Sequence, residues 1–191
     1  MTDDGSGLRS LPIERFREVI GHFASGVTII TALRDGRVYG TTASAVTSLS
    51  LEPPMVLICM NKISETGGAI SAIGRFAINI LGEEHAELAV RFASKGDDKF
   101  AGVAATPGAY GEPLLDEALA TLECRVVEDT TGGTHWVFLA EVDHASARPG
   151  TPLAYFRGEF GRFQRTAEQQ ALRDSLDSLE RAVAAVRAVL P

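Results

Sequence analysis

The stretch from Gly40 to Met60 constrains this chain more than any other. Its first half carries the hydroxyl side chains of Thr41, Thr42, Ser44, Thr47, Ser48 and Ser50 and ends at Pro53-Pro54; its second half, Met55-Val-Leu-Ile-Cys-Met60, is unbroken apolar sequence. A short apolar run bounded by turn residues is the pattern of a buried strand, and consecutive prolines fix the backbone where that strand begins. The hydroxyl-rich half reads as a loop beside it. Hydroxyls and main-chain N–H groups satisfy anion oxygens without a full counter-charge, so the loop is a candidate anion site.

Elsewhere the hydrophobic period switches between helix and strand. Residues 12–24 place Ile13, Phe16, Val19, Ile20 and Phe23 on one helical face, with Pro12 near the first turn where its missing N–H costs nothing. Val27–Leu33 and Val38–Ala45 flank Asp35-Gly36, a strong hairpin signal. Met55–Met60 and Phe76–Leu81 read as buried strands separated by a short helix over 66–74. A second short helix over 84–93 precedes a loop-rich segment, 94–118. Leu119–Val127 and Trp136–Val142 form another antiparallel pair across a turn at 129–133. Strands with short intervening helices predict a mainly β fold, a closed or split β-barrel.

From Thr166 the period changes. Leu172, Leu176, Leu179, Val183, Val186 and Leu190 recur at spacings of four and three, the narrow seam of an amphipathic helix that packs against another helix. Thr166-Ala-Glu-Gln169 is a capping box at its start. A lone helix cannot bury such a seam, so it is expected to dock on its own barrel or on a second subunit. The expected organisation is a flexible N-terminus over 1–10, a barrel domain over 11–163 and a C-terminal helix over 164–191.

Function narrows first by exclusion. A chain of 191 residues suits one domain, and a net charge of −7 with no cluster of Lys and Arg argues against a nucleic-acid partner. The first residues are acidic and polar, and no run approaches about 18 apolar residues, so a cytoplasmic protein with no membrane span is expected. No Gly-rich dinucleotide or phosphate loop opens a helix, and no Gly-x-Ser-x-Gly elbow occurs. His22, His85, His135 and His144 lack metal-ligand spacing, so no metal is expected. Cys59 and Cys124, far apart in apolar runs, read as small hydrophobes rather than a disulfide.

Two further segments complete the candidate site. Asn61-Lys-Ile-Ser-Glu-Thr66 follows the buried strand and supplies an amide, an ammonium, two hydroxyls and the start of a helix, all good phosphate partners. Arg91-Phe-Ala-Ser-Lys-Gly-Asp-Asp-Lys-Phe100 adds two aromatics and three cations.

These segments resemble the short-chain flavin reductase family, the reductase components of two-component flavin-dependent monooxygenases. The likeness runs from Phe16-Arg-Glu-Val-Ile-Gly-His-Phe-Ala-Ser-Gly-Val-Thr-Ile-Ile-Thr31 through the Gly40–Pro54 stretch, Gly74-Arg-Phe-Ala-Ile-Asn-Ile-Leu81 and Asp98-Lys-Phe100 to Gly161. Gly133-Thr-His135 is similar to the family's Gly-Asp-His motif, with Thr for Asp, and Pro152-Leu-Ala-Tyr-Phe-Arg-Gly-Glu-Phe160 to its closing motif. The resemblance implies a split-barrel homodimer of the FMN-binding type. It further implies hydride transfer from NADH or NADPH to FMN or FAD, and an oxygenase that receives the reduced flavin. Cofactor contacts are then implied at Gly40, Thr41, Thr42, Ser44, Ala45, Ser48, Cys59, Asn61, Lys62, Ser64, Thr66, Phe92, Ala93, Ser94 and Lys99. His135 would orient the nicotinamide, with Phe156 and Arg157 beside the nucleotide. Arg157 suits a pyrophosphate because its fork binds oxyanions bidentately. Two alternatives share the fold: a non-catalytic flavin- or haem-binding module, and an oxidase of small amines or vitamers.

Overall fold

Strand β2 (Thr28–Arg34) is buried for most of its length on both faces, and that one fact organises the molecule. Ile30 and Ala32 join a core with Ile58, Met60, Phe76, Ile78, Cys124, Phe138 and Ala140, while Ile29 packs on the opposite face with Val27, Leu81, Leu115 and Leu153. Alternate residues therefore serve different clusters, which is why the strand reads as a continuous run of β-formers. Each fully buried Ile, Leu or Phe contributes about 1.5–3 kcal/mol.

The structure, a computed structural model, describes residues 11–96 and 98–189. The expected flexible N-terminus, residue 190 and the side chain of Val186 lie outside what is described. In chain order the other elements are α1 (Ile13–Ile20), β1 (Ser25–Gly26), β3 (Arg37–Ala43), β4 (Val46–Leu51), β5 (Pro54–Asn61), α2 (Glu65–Ile73), β6 (Arg75–Ile80) and α3 (Ala86–Ala93). After them come β7 (Ala105–Pro107), β8 (Pro113–Leu115), β9 (Ala120–Gly132), β10 (His135–Ala147), β11 (Leu153–Phe156), β12 (Glu159–Arg162) and α4 (Ala167–Val189).

Seven strands form one antiparallel sheet in the order β3-β2-β6-β9-β10-β5-β4. Its two edge strands, β3 and β4, are consecutive in the chain and separated only by Ser44 and Ala45. The chain itself thus joins the edges, and the barrel is split there rather than closed by a ladder. Ala69 and Ile70 of α2 pack into the barrel core, and Ala89 and Phe92 of α3 into the outer cluster. The β7–β8 hairpin is held to the sheet by a buried polar knot: Leu115 N–H donates to Asn79 Oδ1 at 2.7 Å, Asn79 Nδ2 donates to Ile29 O and to Thr31 Oγ1, and Thr31 Oγ1 donates to Pro113 O. Every atom of that knot has a partner, so its burial is tolerated.

Several expectations need correction. The strand read over Val38–Ala45 is β3, and beyond it the hydroxyl-rich stretch is not a loop but a further strand, β4, after a two-residue break. Thr is a good β-former, and strands with a polar face show no clear apolar alternation. The second hairpin is longer than the apolar pattern: β9 and β10 pair out to Gly132 and His135, leaving Gly133-Thr134 as the turn, with Gly133 at φ +56°. The 94–118 segment contains β7 and β8. The helix expected over 12–24 is α1, shorter than that, and its apolar residues Ile13, Phe16, Val19, Ile20 and Phe23 are exposed. The capping box forms as expected, Gln169 N–H donating to Thr166 Oγ1 and Thr166 N–H to Gln169 Oε1. The seam of α4, however, is not docked on its own barrel: Leu172, Leu176, Leu179 and Val183 are exposed.

Candidate functional site

Strand register brings the chemistry together. In the β10–β5 ladder His135 lies opposite Asn61 and Val137 opposite Cys59, so residues some seventy-five positions apart become neighbours at the rim of the barrel split. Lys62 ties the hairpin turn to this rim, its N–H donating to Thr134 O at 3.0 Å and its Nζ to Gly133 O at 2.9 Å. Thr134 Oγ1 lies 2.9 Å from His135 Nδ1, which orients the ring.

Asn61 also starts the next helix. Its Oδ1 accepts from Ile63 N–H at 3.1 Å, and Ser64, the N-cap of α2, accepts from Gly67 N–H. The cap leaves the N–H groups of Glu65 and Thr66 without partners inside the helix, because the first turn of any helix has no carbonyl for them. Those N–H groups and the positive end of the helix dipole favour an anion.

Lys99 stands across from this helix start. Its Nζ donates to Phe92 O at 3.0 Å and to Gly40 O at 3.3 Å, leaving one of its three protons for a ligand. Burial pushes its pKa below the ordinary 10.5, opposed by the nearby Glu65 carboxylate. The loop that carries it is braced by Arg91, whose guanidinium donates to Asp98 O at 3.1 Å and to Ala101 O.

Three cavities run one into the next along the split. The first, about 430 Å³, is lined by Gly40, Thr41, Asn61, Ser64, Thr66, Ala93, Ser94 and Lys99, together with Arg37 and Lys95. The second, about 250 Å³, shares Thr41, Asn61 and Ser64 with it and adds Thr42, Ser44, Ala45, Cys59 and His135. The third, about 870 Å³, shares Ser44, Ala45 and Cys59 with the second and extends under α1 to Tyr155 and Arg157.

Most of the residues expected at the site therefore line one continuous groove, and four do not. Ser48 is exposed on β4 away from all three cavities. Lys62 is engaged with Gly133 O and lies 5.9 Å from the Trp136 ring centroid. Phe92 is fully buried beneath Gly40 and meets Phe100 edge to face at 5.0 Å. Phe156 packs edge-on against His22, 6.1 Å between centroids. Cys59, read as a core hydrophobe, is half-buried and faces two cavities, whereas Cys124 is buried and its thiol is pushed up to about 12 by desolvation. Sequence reasoning missed the charged residues of α1, Glu14, Arg17 and Glu18, which line the third cavity; the helix was read for its apolar face alone.

Comparison with known proteins gives a consistent result. Residues 20–164 match the model of the flavin reductase like domain. The reductase component of 4-nitrophenol 4-monooxygenase/4-nitrocatechol 2-monooxygenase of Rhodococcus opacus is 56% identical over 156 residues, covering 82% of this chain and 84% of that protein. Among solved structures, nitrilotriacetate monooxygenase component B from Mycobacterium thermoresistibile is 39% identical with a TM-score of 0.77, covering 80% of this chain and 87% of that one. The NADH:FAD oxidoreductase SgcE6 of Streptomyces globisporus C-1027, in complex with NAD and FAD fragments, is 35% identical with a TM-score of 0.77, covering 83% and 99%.

Proposed function

This chain belongs to the flavin reductase like domain family, and from that membership we propose that it transfers a hydride from NADH or NADPH to FMN or FAD. The reduced flavin then serves a separate oxygenase component, as the name of the Rhodococcus opacus relative implies. The observation that carries the reading is the continuity of the groove, with an anion-binding end at Ser64 and Lys99 and an imidazole further along it.

The donor set fits a flavin phosphate: the first-turn N–H groups of α2, the hydroxyl of Ser64 and the free proton of Lys99 converge on the first cavity. A bound flavin supplies the hydride acceptor, so no side-chain base is required. Thr41, Thr42, Ser44 and Ala45 form the wall along which the ring system would lie. His135, held by Thr134, positions the nicotinamide by hydrogen bonding rather than by acid–base chemistry. The walls exclude water and align the two rings, which is the protein's main contribution to such a transfer.

The protein acts as a homodimer in the cytoplasm. The exposed apolar residues of α1 and the α4 seam support association, because contiguous apolar patches of this kind mark interaction surfaces. Among the described residues no helix is long and apolar enough to cross a membrane.

Anaerobic mixing tests the function directly. Flavin should bleach on addition of NADH or NADPH, and crossing the two nucleotides with FMN, FAD and riboflavin identifies the preferred pair. Flavin that binds yet stays oxidised would leave a binding module instead. In stopped flow, His135→Ala should lower kcat/KM for the nucleotide by roughly ten- to a hundredfold, with flavin Kd nearly unchanged. Normal reduction by a folded variant would remove His135 from the site.

A further inference from the structure

The family domain covers residues 20–164, and α4 lies wholly beyond it. The helix runs 23 residues, from Ala167 to Val189, with Leu172, Leu176, Leu179 and Val183 exposed. No residue of α4 lines any of the three cavities of the groove.

The exposed apolar residues form a narrow seam. Their spacings of four, three and four residues are the a/d pattern of a coiled coil, whereas a helix lying on a globular core carries a broader apolar stripe. With Leu176 and Val183 at a, Leu172 and Leu179 fall at d; Arg173 and Glu180 then flank the seam at e, and Glu168, Ser175 and Ala182 at g. The far side of the helix satisfies itself. Gln170 Nε2 donates to Asp174 Oδ1 at 2.8 Å, and Arg173 reaches round to Asp177 at 3.1 Å.

Such a seam accepts another helix, and length decides which. Helix α1 is also apolar and exposed, but its eight residues span about 12 Å, while Leu172 to Val183 alone cover about 17 Å. Helices α2 and α3 already bury residues in their own cores. Among the described residues the helix that matches α4 in length and pattern is α4 itself, supplied by a second copy of the chain.

Charge and side-chain shape then set the direction. In a parallel, in-register pair the g position faces the e position five residues on, so Glu168 meets the second copy's Arg173 and the reverse, while Ser175 stands opposite Glu180. No like charges face each other in these pairs. Val183 at a, beside Leu at both d positions, is the combination that parallel two-stranded coils favour.

We propose that α4 pairs in parallel and in register with α4 of a second copy of this chain, forming a two-stranded coiled coil outside the flavin groove. The pairing rests on the homodimer reading above and names the surface that carries it; it does not depend on hydride transfer. Each seam covers the other, and both grooves stay clear of the coil.

The test is a cysteine placed on the seam of the full-length protein. Gln169 occupies the a position one heptad before Leu176, and Gln169→Cys keeps the main-chain half of the capping box, in which Gln169 N–H donates to Thr166 Oγ1. In the parallel pair the two copies of residue 169 face each other within disulfide reach; an antiparallel pair centred on the seam would hold them about 25 Å apart. In a glutathione redox buffer Gln169→Cys should give about tenfold or more disulfide-linked dimer than Asp174→Cys, on the far side, or wild type with its native Cys59 and Cys124. Sedimentation of Leu176→Asp/Leu179→Asp should show a dissociation constant raised by about a hundredfold or more, with FMN Kd unchanged as evidence of an intact barrel. Equal cross-linking at 169 and 174, or none at 169, would overturn the pairing. A dimeric wild type whose association survives the double substitution would keep the homodimer and sink the coil, and a monomeric wild type would sink both. Cross-linking at 169 in a protein that never reduces flavin would support the coil while removing the reductase reading.

Discussion

Gly40 and Phe92 approach so closely that a Cβ on the glycine would lie 2.5 Å from Phe92 Cε1 and 2.8 Å from Phe100 Cζ. The two backbones are also bridged, Lys99 Nζ reaching both carbonyls. The glycine is therefore required by packing, since its strand must lie flat on the aromatic pair for the lysine to reach across. Gly40→Ala should displace those buried rings at a cost of about 1–3 kcal/mol, the usual range for overpacking, and loosen the Lys99 loop. Denaturant melts and a flavin titration check both effects. A variant with wild-type stability and affinity would show that the rings yield freely.

Lys99 itself should discriminate phosphate from its absence. Lys99→Met keeps the apolar stem but removes the ammonium, so FMN affinity should fall about tenfold or more while riboflavin affinity stays level. The lowered pKa adds a pH signature. Because burial disfavours the charged form, FMN affinity should decline on the alkaline side at pH values below the ordinary 10.5. Parallel titrations of FMN and riboflavin decide it, and equal losses for the two would place the ammonium away from the phosphate.

What could be read from the sequence divides along physical lines. Apolar strands and the Asp35-Gly36 hairpin were legible because burial and positive-φ turns leave local marks. The β4 strand was hidden by its polar residues, and the length of the β9–β10 hairpin by polar residues paired only through backbone. Asn61, Ser64 and His135 were found from residue type, but their convergence depends on a strand register that no local pattern encodes. Arg17 left no signal, since a charge on an amphipathic helix is ordinary. Phe92 misled because an aromatic beside cations looks the same in sequence whether it faces a ligand or the core.

Glu112 offers a prediction about stability rather than function. It is buried and its Oε1 has no partner, and desolvation above all raises its pKa over the ordinary 4.5. Its own backbone hydrogen bond, Arg75 and His144 act the other way, while Glu123 adds to the rise. A raised folded pKa means stability that is fully present below the unfolded value and lost as pH rises through the folded one. Glu112→Gln should therefore be more stable than wild type near neutrality, with the gap closing as the pH falls towards the ordinary 4.5. Urea melts of both proteins across that range measure it; a constant gap would show that the carboxyl's charge is not the cause.

The α4 seam is an apolar feature that the barrel does not use. Leu172, Leu176, Leu179 and Val183 are 64, 45, 63 and 52% exposed, although each would contribute about 1.5–3 kcal/mol if fully buried. A helix of this kind has marginal stability alone, so its order depends on a surface the isolated chain does not provide. Truncation after Arg165 should accordingly weaken subunit association, seen as a lower mass at a given concentration in sedimentation equilibrium. The residues proposed to position the nicotinamide and flavin remain intact, and because the seam makes no use of the barrel, the core should still fold. Exposed α1 offers a second apolar face, so association should weaken rather than vanish. An unchanged mass together with an unchanged melting midpoint would mean that the seam is idle, and the four-three spacing would then carry no information about assembly.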